Sequence, residues 1–340
     1  MPSIFEVAKQ AGVSASTVSR TFNSPHLITD KTKKRVLEAA EQVNYRPPRS
    51  RAPRSNQEPL HATLGFHFFA EGPHDKLQRN AFYSQVLAGA LSEAADLEVQ
   101  LVLSSSCRHD SEAPLPRALQ NRSLAGALLV GAPNPEIVKE FTDNLGNLVF
   151  VDSRDPSGEH DSIVTDNFSG ALAAAQYLIG LGHRRIGFVS GLDDVDSFIE
   201  RMNGYVCAHF QAGLPFDRSF VLRKHDDEIY ACLRRPDRPT AFMGANDESA
   251  LVVLQICQEL GLHIPRDVSL VGFDDLDFAA RMVPALTSVH VPIGNLGRLG
   301  VRRLYAKIVD SGNPGLTDLP SCSLVPVSLV VRASSAPPSL

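Results

Sequence analysis

Polar side chains follow several apolar, strand-like segments of the sequence, at positions suited to binding a polar small molecule. Ligands of doubly wound α/β sheets bind at the carboxyl ends of the strands. The segments LVFVD, TAFMGAND and VGFDD end on such residues, and a guanidinium lies on the helix after RIGFVSG. These residues are Asp152, Arg201, Asn246, Asp247, Asp274 and Asp275. Carboxylate, amide and guanidinium groups together suit a hydroxyl-rich ligand.

Two of these aspartates have an alternative role. For Asp247 and Asp275 we favour helix capping, because an aspartate before a helix accepts hydrogen bonds from free backbone amides. Phe82 and Tyr83, at the start of the first helix after the basic N-terminal segment, can supply an apolar face to a ligand. The predicted ligand is therefore a sugar or a related polyol.

The sequence lacks the common signatures of enzymes. A dinucleotide site needs Gly-x-Gly-x-x-Gly between a strand and its helix, whereas GLGHRRIG precedes a strand and GNLGRLG lies in a helical segment. Gly-x-Ser-x-Gly, a P-loop and His-Glu-x-x-His are absent, and the histidines are scattered singly. The five cysteines are far apart and form no Cys-x-x-Cys pair. We therefore expect no catalytic residues, no metal and no cofactor.

Strand-like and helical segments alternate from His61 onward. LGFHFF, VQLVLSS, GALLVG and LVFVDS are the strand-like segments of the first half, and SIVTD, RIGFVSG, TAFMGAND and VSLVGFDD those of the second. This alternation predicts two doubly wound α/β lobes. A strand LTSVHVP and a helix from about Ile293 to Val309 follow, and SLVPVSLVV could return to either lobe.

Charge separates the first 54 residues from the rest of the chain. They carry ten Lys/Arg against four Asp/Glu, a net charge of +6, whereas the remaining residues carry 23 against 34, a net charge of −11. A basic segment on an acidic body is typical of a separate nucleic-acid-binding unit. The longest apolar runs are far shorter than the roughly 20 residues of a membrane span, and no export signal opens the sequence. We expect a cytoplasmic protein without a membrane partner.

Three short helices are predicted within the basic segment. Gly12 ends the first, Ser14 caps the second (ASTVSRTF), and Thr29 or Asp30 caps the third. A helix, a glycine turn and a Ser/Thr-rich helix with one arginine have the layout of a helix-turn-helix, whose second helix enters the major groove. The alternative is a generic three-helix bundle with a solvated basic face.

These segments resemble the lactose repressor/galactose repressor (LacI/GalR) family of bacterial transcription regulators. IFEVAKQAGVSASTVSRTFN and ITDKTKKRVLEAAEQVNYRP are similar to its headpiece, and NAFYSQVLAG, RMNGY, ANDESAL, IPRDVSLVGFDD and PALTSVHVP to its body. The resemblance implies an all-α helix-turn-helix headpiece plus an α/β two-lobed periplasmic-binding-protein-like (type I) effector domain. It also implies a homodimer that binds double-stranded DNA at a pseudo-palindromic operator.

The function implied by the resemblance is that of a DNA-binding transcriptional regulator, of the repressor type. A small polar effector, a sugar or a related metabolite, switches its operator affinity by binding between the lobes. The alternative is a solute-binding protein of the transport type without a DNA role. That class would carry an export signal and would lack the basic headpiece.

The resemblance also assigns individual residues. Ala15, Ser16 and Arg20 fall on base-reading positions, and Arg20 is the long donor suited to guanine. The residues expected to position phosphates are Ser14, Thr17, Ser19, Asn23, Thr29 and Thr32. In the body the resemblance assigns Arg201, Asn246 and Asp274 to the effector. The full set of expected effector-binding residues is Phe82, Tyr83, Asp152, Arg201, Asn246 and Asp274.

The predicted domain bounds leave a linker that departs from the family. They are a headpiece at 1–46, a Pro/Arg-rich hinge linker at 47–60 and an effector-binding and dimerisation domain at 61–335, with an N-lobe at about 61–157 and 286–318 and a C-lobe at about 158–285 and 319–335. In the family the linker forms a hinge helix whose leucine enters the minor groove, but here Arg54 takes that leucine's place and Pro53 opposes a helix. Arg49, Arg51 and Arg54 form either an extended basic arm on the DNA or part of a disordered tether.

Overall fold

The structure is a computed structural model that describes most of the chain. The described residues are 4–14, 17, 18, 21, 30–43, 62–72, 77, 80–109, 123–191, 195–224, 226–310 and 319–339. The chain forms two compact units, Met1–Pro59 and Leu60–Leu340. We refer to the first unit, which covers the predicted headpiece and most of the linker, as the headpiece, and to the second unit as the body.

The headpiece contains helix α1 (Ile4–Ala11) and helix α2 (Asp30–Gln42). Gly12 follows α1 with a φ of +61°, a conformation that glycine adopts without strain, so α1 ends where the sequence predicts. Val7, Val18 and Val36 are fully buried and form the centre of a small core. Of the predicted second helix, the described residues are helical.

In the described part of the body, the first sheet has six parallel strands. Its strands are β1 (Thr63–Ala70), β2 (Gln100–Cys107), β3 (Gly126–Val130), β4 (Leu148–Val151), β5 (Asp161–Thr165) and β11 (Cys322–Val325), in the order β11-β5-β4-β3-β1-β2. The helices of this lobe are α3 (Ala81–Asp96), α4 (Pro135–Asn144) and α9 (Ile293–Asp310). Strands β3 and β4 are buried throughout, as strands covered on both faces should be.

Among the described residues, the second sheet also has six strands. They are β6 (Ile186–Val189), β7 (Val221–Leu222), β8 (Ala241–Gly244), β9 (Ser269–Asp274), β10 (Thr287–His290) and β12 (Ser328–Val330), in the order β12-β10-β9-β8-β6-β7. Strand β12 runs antiparallel to β10, and the other pairs that the described residues form in this sheet are parallel. The helices of this lobe are α5 (Asn167–Gly180), α6 (Asp196–Gln211), α7 (Asp226–Leu233) and α8 (Asp247–Glu259).

The lobe bounds predicted from the sequence are wrong at three strands. Strands β5 and β11 were expected in the C-lobe, but β5 pairs with β4 and β11 in the first sheet. Strand β10 was expected in the N-lobe and pairs with β9 in the second sheet. The chain therefore passes between the lobes three times, after β5, β10 and β11. The segment SLVPVSLVV divides between both sheets.

Close glycine contacts fix the packing of α3 against α9. A Cβ atom on Gly89 would overlap the carbonyl oxygen of Gly294, and one on Gly297 would overlap that of Val86. The glycines of GNLGRLG therefore bring two helix backbones together, which is a packing role and not a nucleotide-binding one. Within the described ranges, no helix is long and apolar enough to cross a membrane.

Candidate functional site

A cleft of about 470 Å³ lies between the two lobes of the body. Its lining includes every residue that the sequence assigned to the effector: Phe82, Tyr83, Asp152, Arg201, Asn246 and Asp274. The first three belong to the first lobe and the last three to the second. Side chains that are distant in sequence thus line the same cleft.

In the first lobe, a helix cap and a strand end position the cleft residues. The side chain of Asn80 caps α3 by accepting hydrogen bonds from the backbone N–H of Phe82 and of Tyr83, at 3.1 and 3.0 Å. The Tyr83 hydroxyl donates to Oδ2 of Asp152 at 2.8 Å. Among the described residues, no donor forms a hydrogen bond with the buried Oδ1 of Asp152.

In the second lobe, Arg201 is the centre of the polar network. Its Nε donates to Oδ1 of Asn167 at 2.8 Å, and one terminal nitrogen donates to the Ala245 carbonyl at 2.7 Å. The other terminal nitrogen lies 3.0 Å from Oδ1 of Asp274. The guanidinium also stacks at 3.8 Å over the ring of Phe273. A positive charge is thus fixed inside the cleft by contacts on several sides.

The two cleft aspartates share an unusual backbone conformation. Asp152 directly follows β4 with a φ of 62°, and Asp274 ends β9 with a φ of 101°. Residues other than glycine rarely adopt positive φ, and such strain clusters at functional sites. Each lobe therefore presents one strained strand-end carboxylate to the cleft.

Burial makes both carboxylates weaker acids. Burial raises the pKa of Asp152 to about 6, although the Tyr83 hydrogen bond and the Arg201 charge lower it. Burial also raises the pKa of Asp274 to about 7 against the opposing charge of Arg201. For each carboxylate, the unfavourable loss of hydration of the charged form exceeds the stabilisation that its partners, Arg201 and for Asp152 also Tyr83, provide. Hydrogen-bond donors on a ligand would therefore stabilise the ionised forms.

The capping role predicted for Asp247 and Asp275 is wrong. Asn246 caps α8, since its Oδ1 accepts from the backbone N–H and the hydroxyl of Ser249, both at 2.8 Å. The fully buried Asp247 instead accepts from Ser288 Oγ at 2.5 Å and from the Leu276 N–H at 2.7 Å. Burial, followed by the charge of Asp274, raises the pKa of Asp247 to about 8. Asp247 thus links the start of α8 to strand β10 and to the segment after β9.

Asp275 contacts two side chains in place of a cap, an arginine and a histidine. One oxygen lies 2.6 Å from the Arg332 guanidinium and the other 3.1 Å from Nδ1 of His290. The segment after Asp275 forms only a short 3-10 turn, so no helix N-terminus is available for it.

Several lining residues were not predicted from the sequence. They are Glu71, Asn80, Gly191, Val195, Ser197, Phe198, Arg223, Lys224, Glu248, Ser249 and Leu276. The position of Asn80 could have been predicted from the sequence, because an asparagine before an apolar helix is a typical N-cap. Arg223 and Lys224 follow a strand of two residues, which is too short to reveal a strand end by its pattern. Lys224 pairs with Glu248 at 3.1 Å at this side of the cleft.

In the headpiece, three of the predicted DNA contacts fall within the described residues. Ser14 is exposed, and its Oγ accepts from the Thr17 N–H at 3.1 Å, which confirms the predicted cap. Thr32 lies on α2 and is half-buried. The other predicted contacts lie outside the described residues: Ala15, Ser16, Ser19, Arg20, Asn23, Thr29, Arg49, Arg51 and Arg54.

Together these features define a class of protein. A small basic helical unit precedes a two-lobed α/β body of the type I periplasmic-binding-protein class, with a polar cleft between its lobes. Residues 3–48 match the family described as "Bacterial regulatory proteins, lacI family", and residues 175–335 match "Periplasmic binding protein-like domain".

Full-length relatives have the same organisation. Catabolite control protein A of Priestia megaterium is 30% identical over 310 residues, covering 88% of this chain and 91% of the relative. The HTH-type transcriptional repressor PurR of Vibrio atlanticus (strain LGP32) is 28% identical over 319 residues, covering 91% and 93%. The chain therefore belongs to the LacI family of DNA-binding transcriptional regulators, and the relatives support this function and not that of a transport protein.

Solved structures agree with this assignment. The transcriptional regulator CelR–cellobiose complex superposes with a TM-score of 0.69 at 26% identity, covering 98% of this chain and all of the other. The lac repressor dimer bound to operator and the anti-inducer ONPF superposes with a TM-score of 0.67 at 25% identity, covering 98% and 99%. Both comparisons extend over the headpiece and the body.

Proposed function

We propose that this chain is a cytoplasmic repressor that binds a pseudo-palindromic operator as a homodimer, and that a small hydroxyl-rich effector in the cleft switches its operator affinity. The observation that carries the proposal is the meeting of six predicted side chains from both lobes around one cleft. In this proposal the cleft binds and releases the effector without chemical change.

The lining of the cleft matches the two kinds of surface on a sugar ring. Phe82, Phe198 and Leu276 offer apolar contact to the faces of a ring. Asp152 offers an acceptor, and Arg201 offers donors. Because Oδ1 of Asn246 already accepts two hydrogen bonds, its Nδ2 amide provides further donors for a ligand. A cellobiose complex among the structural relatives supports a sugar or a similar metabolite.

A ligand between the lobes can bias their relative position. The lobes are joined by three chain crossings and by an ion pair of 2.8 Å between Arg154, after β4, and Glu200 on α6. An effector shifts such an equilibrium only by its difference in affinity for the two forms. Contacts with Asp152 in one lobe and Arg201 in the other provide that difference, since they form together only when the lobes approach.

The dimer follows from the size of the headpiece. One recognition helix buries too little DNA surface for strong specific binding, and two half-sites supply the remainder. In the lac repressor structure a dimer is bound to its operator. We infer the same arrangement for this chain.

The test combines an effector screen with DNA binding by the purified full-length protein. A thermal-shift screen of mono- and disaccharides, polyols and sugar phosphates should give at least one saturable stabiliser, which should then change operator affinity by tenfold or more. Purine bases belong in the same screen, because a purine stabiliser would reject the sugar-like ligand. Stabilisers that leave operator affinity unchanged would reject the switch, and sedimentation of a stable monomer with full operator affinity would reject the dimer.

A further inference from the structure

A second cavity, of about 540 Å³, lies in the second lobe beside the exposed side of α6. Ile199, Met202 and Val206 line it at helical spacing, and Phe216 and Val221 face them. A helix normally buries such an apolar stripe against its neighbours. Here Ile199 is 37% exposed and Met202 and Val206 are half-buried, so the stripe is left partly open to this cavity.

The chemistry of this cavity differs from that of the effector cleft. Among the described residues, its lining contains no carboxylate, whereas four carboxylates line the effector cleft. Its polar members are Ser190 and two exposed arginines, Arg218 and Arg223, of which Arg223 also lines the effector cleft. A molecule bound here would therefore contact apolar side chains together with two guanidinium groups.

A cluster of aromatic rings forms one wall of the cavity. The ring of Phe216 lies 6.2 Å from that of Tyr205 and 6.5 Å from that of His209, both on the buried side of α6. The Tyr205 hydroxyl donates to the Ile186 carbonyl at 2.7 Å, which fixes the cluster to β6. Phe216 nevertheless remains 43% exposed. Phe216, in the loop after α6, is thus packed against the buried side of α6 and also lines the cavity.

Phe198 forms a wall shared by the two cavities, because its side chain lines both of them. Its ring lies 5.7 Å from the guanidinium carbon of Arg201, the central residue of the effector cleft. Behind it, a Cβ atom on Gly191 would lie 2.6 Å from the Phe198 ring, so glycine is required for the ring to sit there. A ligand in either cavity would contact the same ring.

We propose that this cavity is a second ligand-binding site that takes a small, largely apolar aromatic molecule, separate from the effector. The apolar stripe on α6, the ring of Phe216 and the two arginines, with no carboxylate among the described lining residues, favour such a molecule over a sugar. Site and effector are linked through Phe198, so occupancy of one cavity changes the wall of the other. Any resulting coupling of affinities is reciprocal by thermodynamic necessity.

The test uses the full-length protein and the dye 1-anilinonaphthalene-8-sulfonate, an aromatic probe with one anionic group. Wild-type protein should bind one dye per chain with a saturable rise in fluorescence. Val206→Trp, which fills the cavity, and Ile199→Lys, which places a charge at its more exposed end, should each weaken dye binding at least tenfold. Phe210→Ala is the matched control, because Phe210 is an 85% exposed aromatic on the same helix but does not line the cavity.

The outcomes separate this site from the effector cleft. Arg201→Ala should keep dye binding within about twofold, and its loss there would place the dye in the effector cleft and overturn the proposal. Retained binding in Ile199→Lys, or an equal loss in Phe210→Ala, would overturn it as well. Ile199 is partly exposed, so this variant tests the site even if Val206→Trp fails to fold. A failed effector screen leaves these dye results unchanged, because none of them uses the effector.

Discussion

The guanidinium of Arg201 lies 3.0 Å from the carboxylate of Asp274, and both side chains are more than nine-tenths buried. Removal of one member of a buried ion pair leaves the other charge without compensation, which costs about 3 to 5 kcal/mol. The same two groups are placed to contact a ligand in the cleft. The stability of the body and the binding of the effector therefore both depend on the pair of Arg201 and Asp274.

The first prediction concerns Arg201→Ala. This variant should lose the effector response while its effector-free operator affinity stays within about threefold of wild type, because the headpiece is a separate unit. Its body should also lose about 3 kcal/mol of unfolding free energy. Calorimetry with the effector from the screen, operator titrations and urea unfolding measure the three quantities.

Arg235→Ala is the control for this change. Arg235 pairs with Asp237 at 2.8 Å on the surface, where solvent screens the attraction between the two charges. It should behave as wild type in all three measurements. Wild-type effector affinity in Arg201→Ala would remove that residue from the site.

The second prediction concerns the hydrogen bond from Tyr83 to Asp152. The bond lowers the pKa of Asp152 from the higher value that burial alone would give, so Tyr83→Phe should raise that pKa above about 6. An effector that donates to the ionised carboxylate binds less tightly as pH falls through the pKa of Asp152. In Tyr83→Phe this loss should therefore begin at a higher pH.

Effector titrations from pH 5 to 8 measure this shift. Tyr177→Phe is the matched control, since the Tyr177 hydroxyl forms a hydrogen bond of 2.9 Å with Ser335, at a residue that does not line the cleft. Identical pH profiles for Tyr83→Phe and wild type would show that the Asp152 carboxylate does not bind the effector.

Strand ends made much of the cleft predictable from the sequence. Asp152, Asn246 and Asp274 each follow an apolar segment, and parallel strands bring such positions to one edge. The distribution of strands between the lobes was not predictable in the same way. Strands β5, β10 and β11 carry apolar patterns that suit either sheet, and only pairing in three dimensions assigns them.

The role of Asp247 was also beyond a sequence pattern. An aspartate at the start of a helix has the same local sequence whether it caps that helix or reaches another element. Its partners, Ser288 and the Leu276 N–H, lie 41 and 29 residues away in the chain. Long-range contacts of this kind decide which polar groups are buried, and local propensity does not report them.

The third prediction concerns the pH dependence of stability at Asp247. Burial raises its pKa to about 8 in the folded protein, whereas an unfolded aspartate titrates near about 4. The folded state therefore keeps a proton that the unfolded state loses. The resulting stability is full below pH 4 and is lost as pH rises towards 8, by at most about 1.4 kcal/mol per pH unit.

Asp247→Asn removes this titration and keeps one acceptor for the Leu276 N–H. Its amide N–H₂ replaces the oxygen that accepts from Ser288, so the serine hydroxyl becomes the acceptor of that hydrogen bond. Relative to wild type, the variant should become more stable as pH rises from 5 to 8. Urea unfolding at several pH values measures the difference. A difference that does not change with pH would contradict the raised pKa of Asp247.

The fourth prediction concerns the helix pair α3 and α9. A methyl group at Gly297 would overlap the Val86 carbonyl, so Gly297→Ala should destabilise the body by about 1 to 3 kcal/mol or more. Gly180, at the end of α5, has no atom within 4 Å of an added Cβ. Gly180→Ala is therefore the control and should not lower the unfolding temperature. Equal melting temperatures for the two variants would show that the helices can separate without cost.

The last prediction separates base reading from phosphate contact in the headpiece. By family resemblance Arg20 reads a guanine, and a bidentate base contact contributes about 1 to 3 kcal/mol of discrimination. Arg20→Ala should therefore weaken operator binding by that amount and leave binding to random DNA nearly unchanged.

Lys33 and Lys34, on α2, are the comparison for Arg20, because a lysine that contacts phosphate acts on all sequences alike. Lys33→Ala or Lys34→Ala should lower both affinities and reduce the slope of log affinity against log salt by about 1 per lost contact. Titrations of operator and random duplexes at several salt concentrations distinguish the two patterns. If Arg20→Ala weakens both duplexes equally, Arg20 contacts the DNA backbone and the base-reading assignment is wrong.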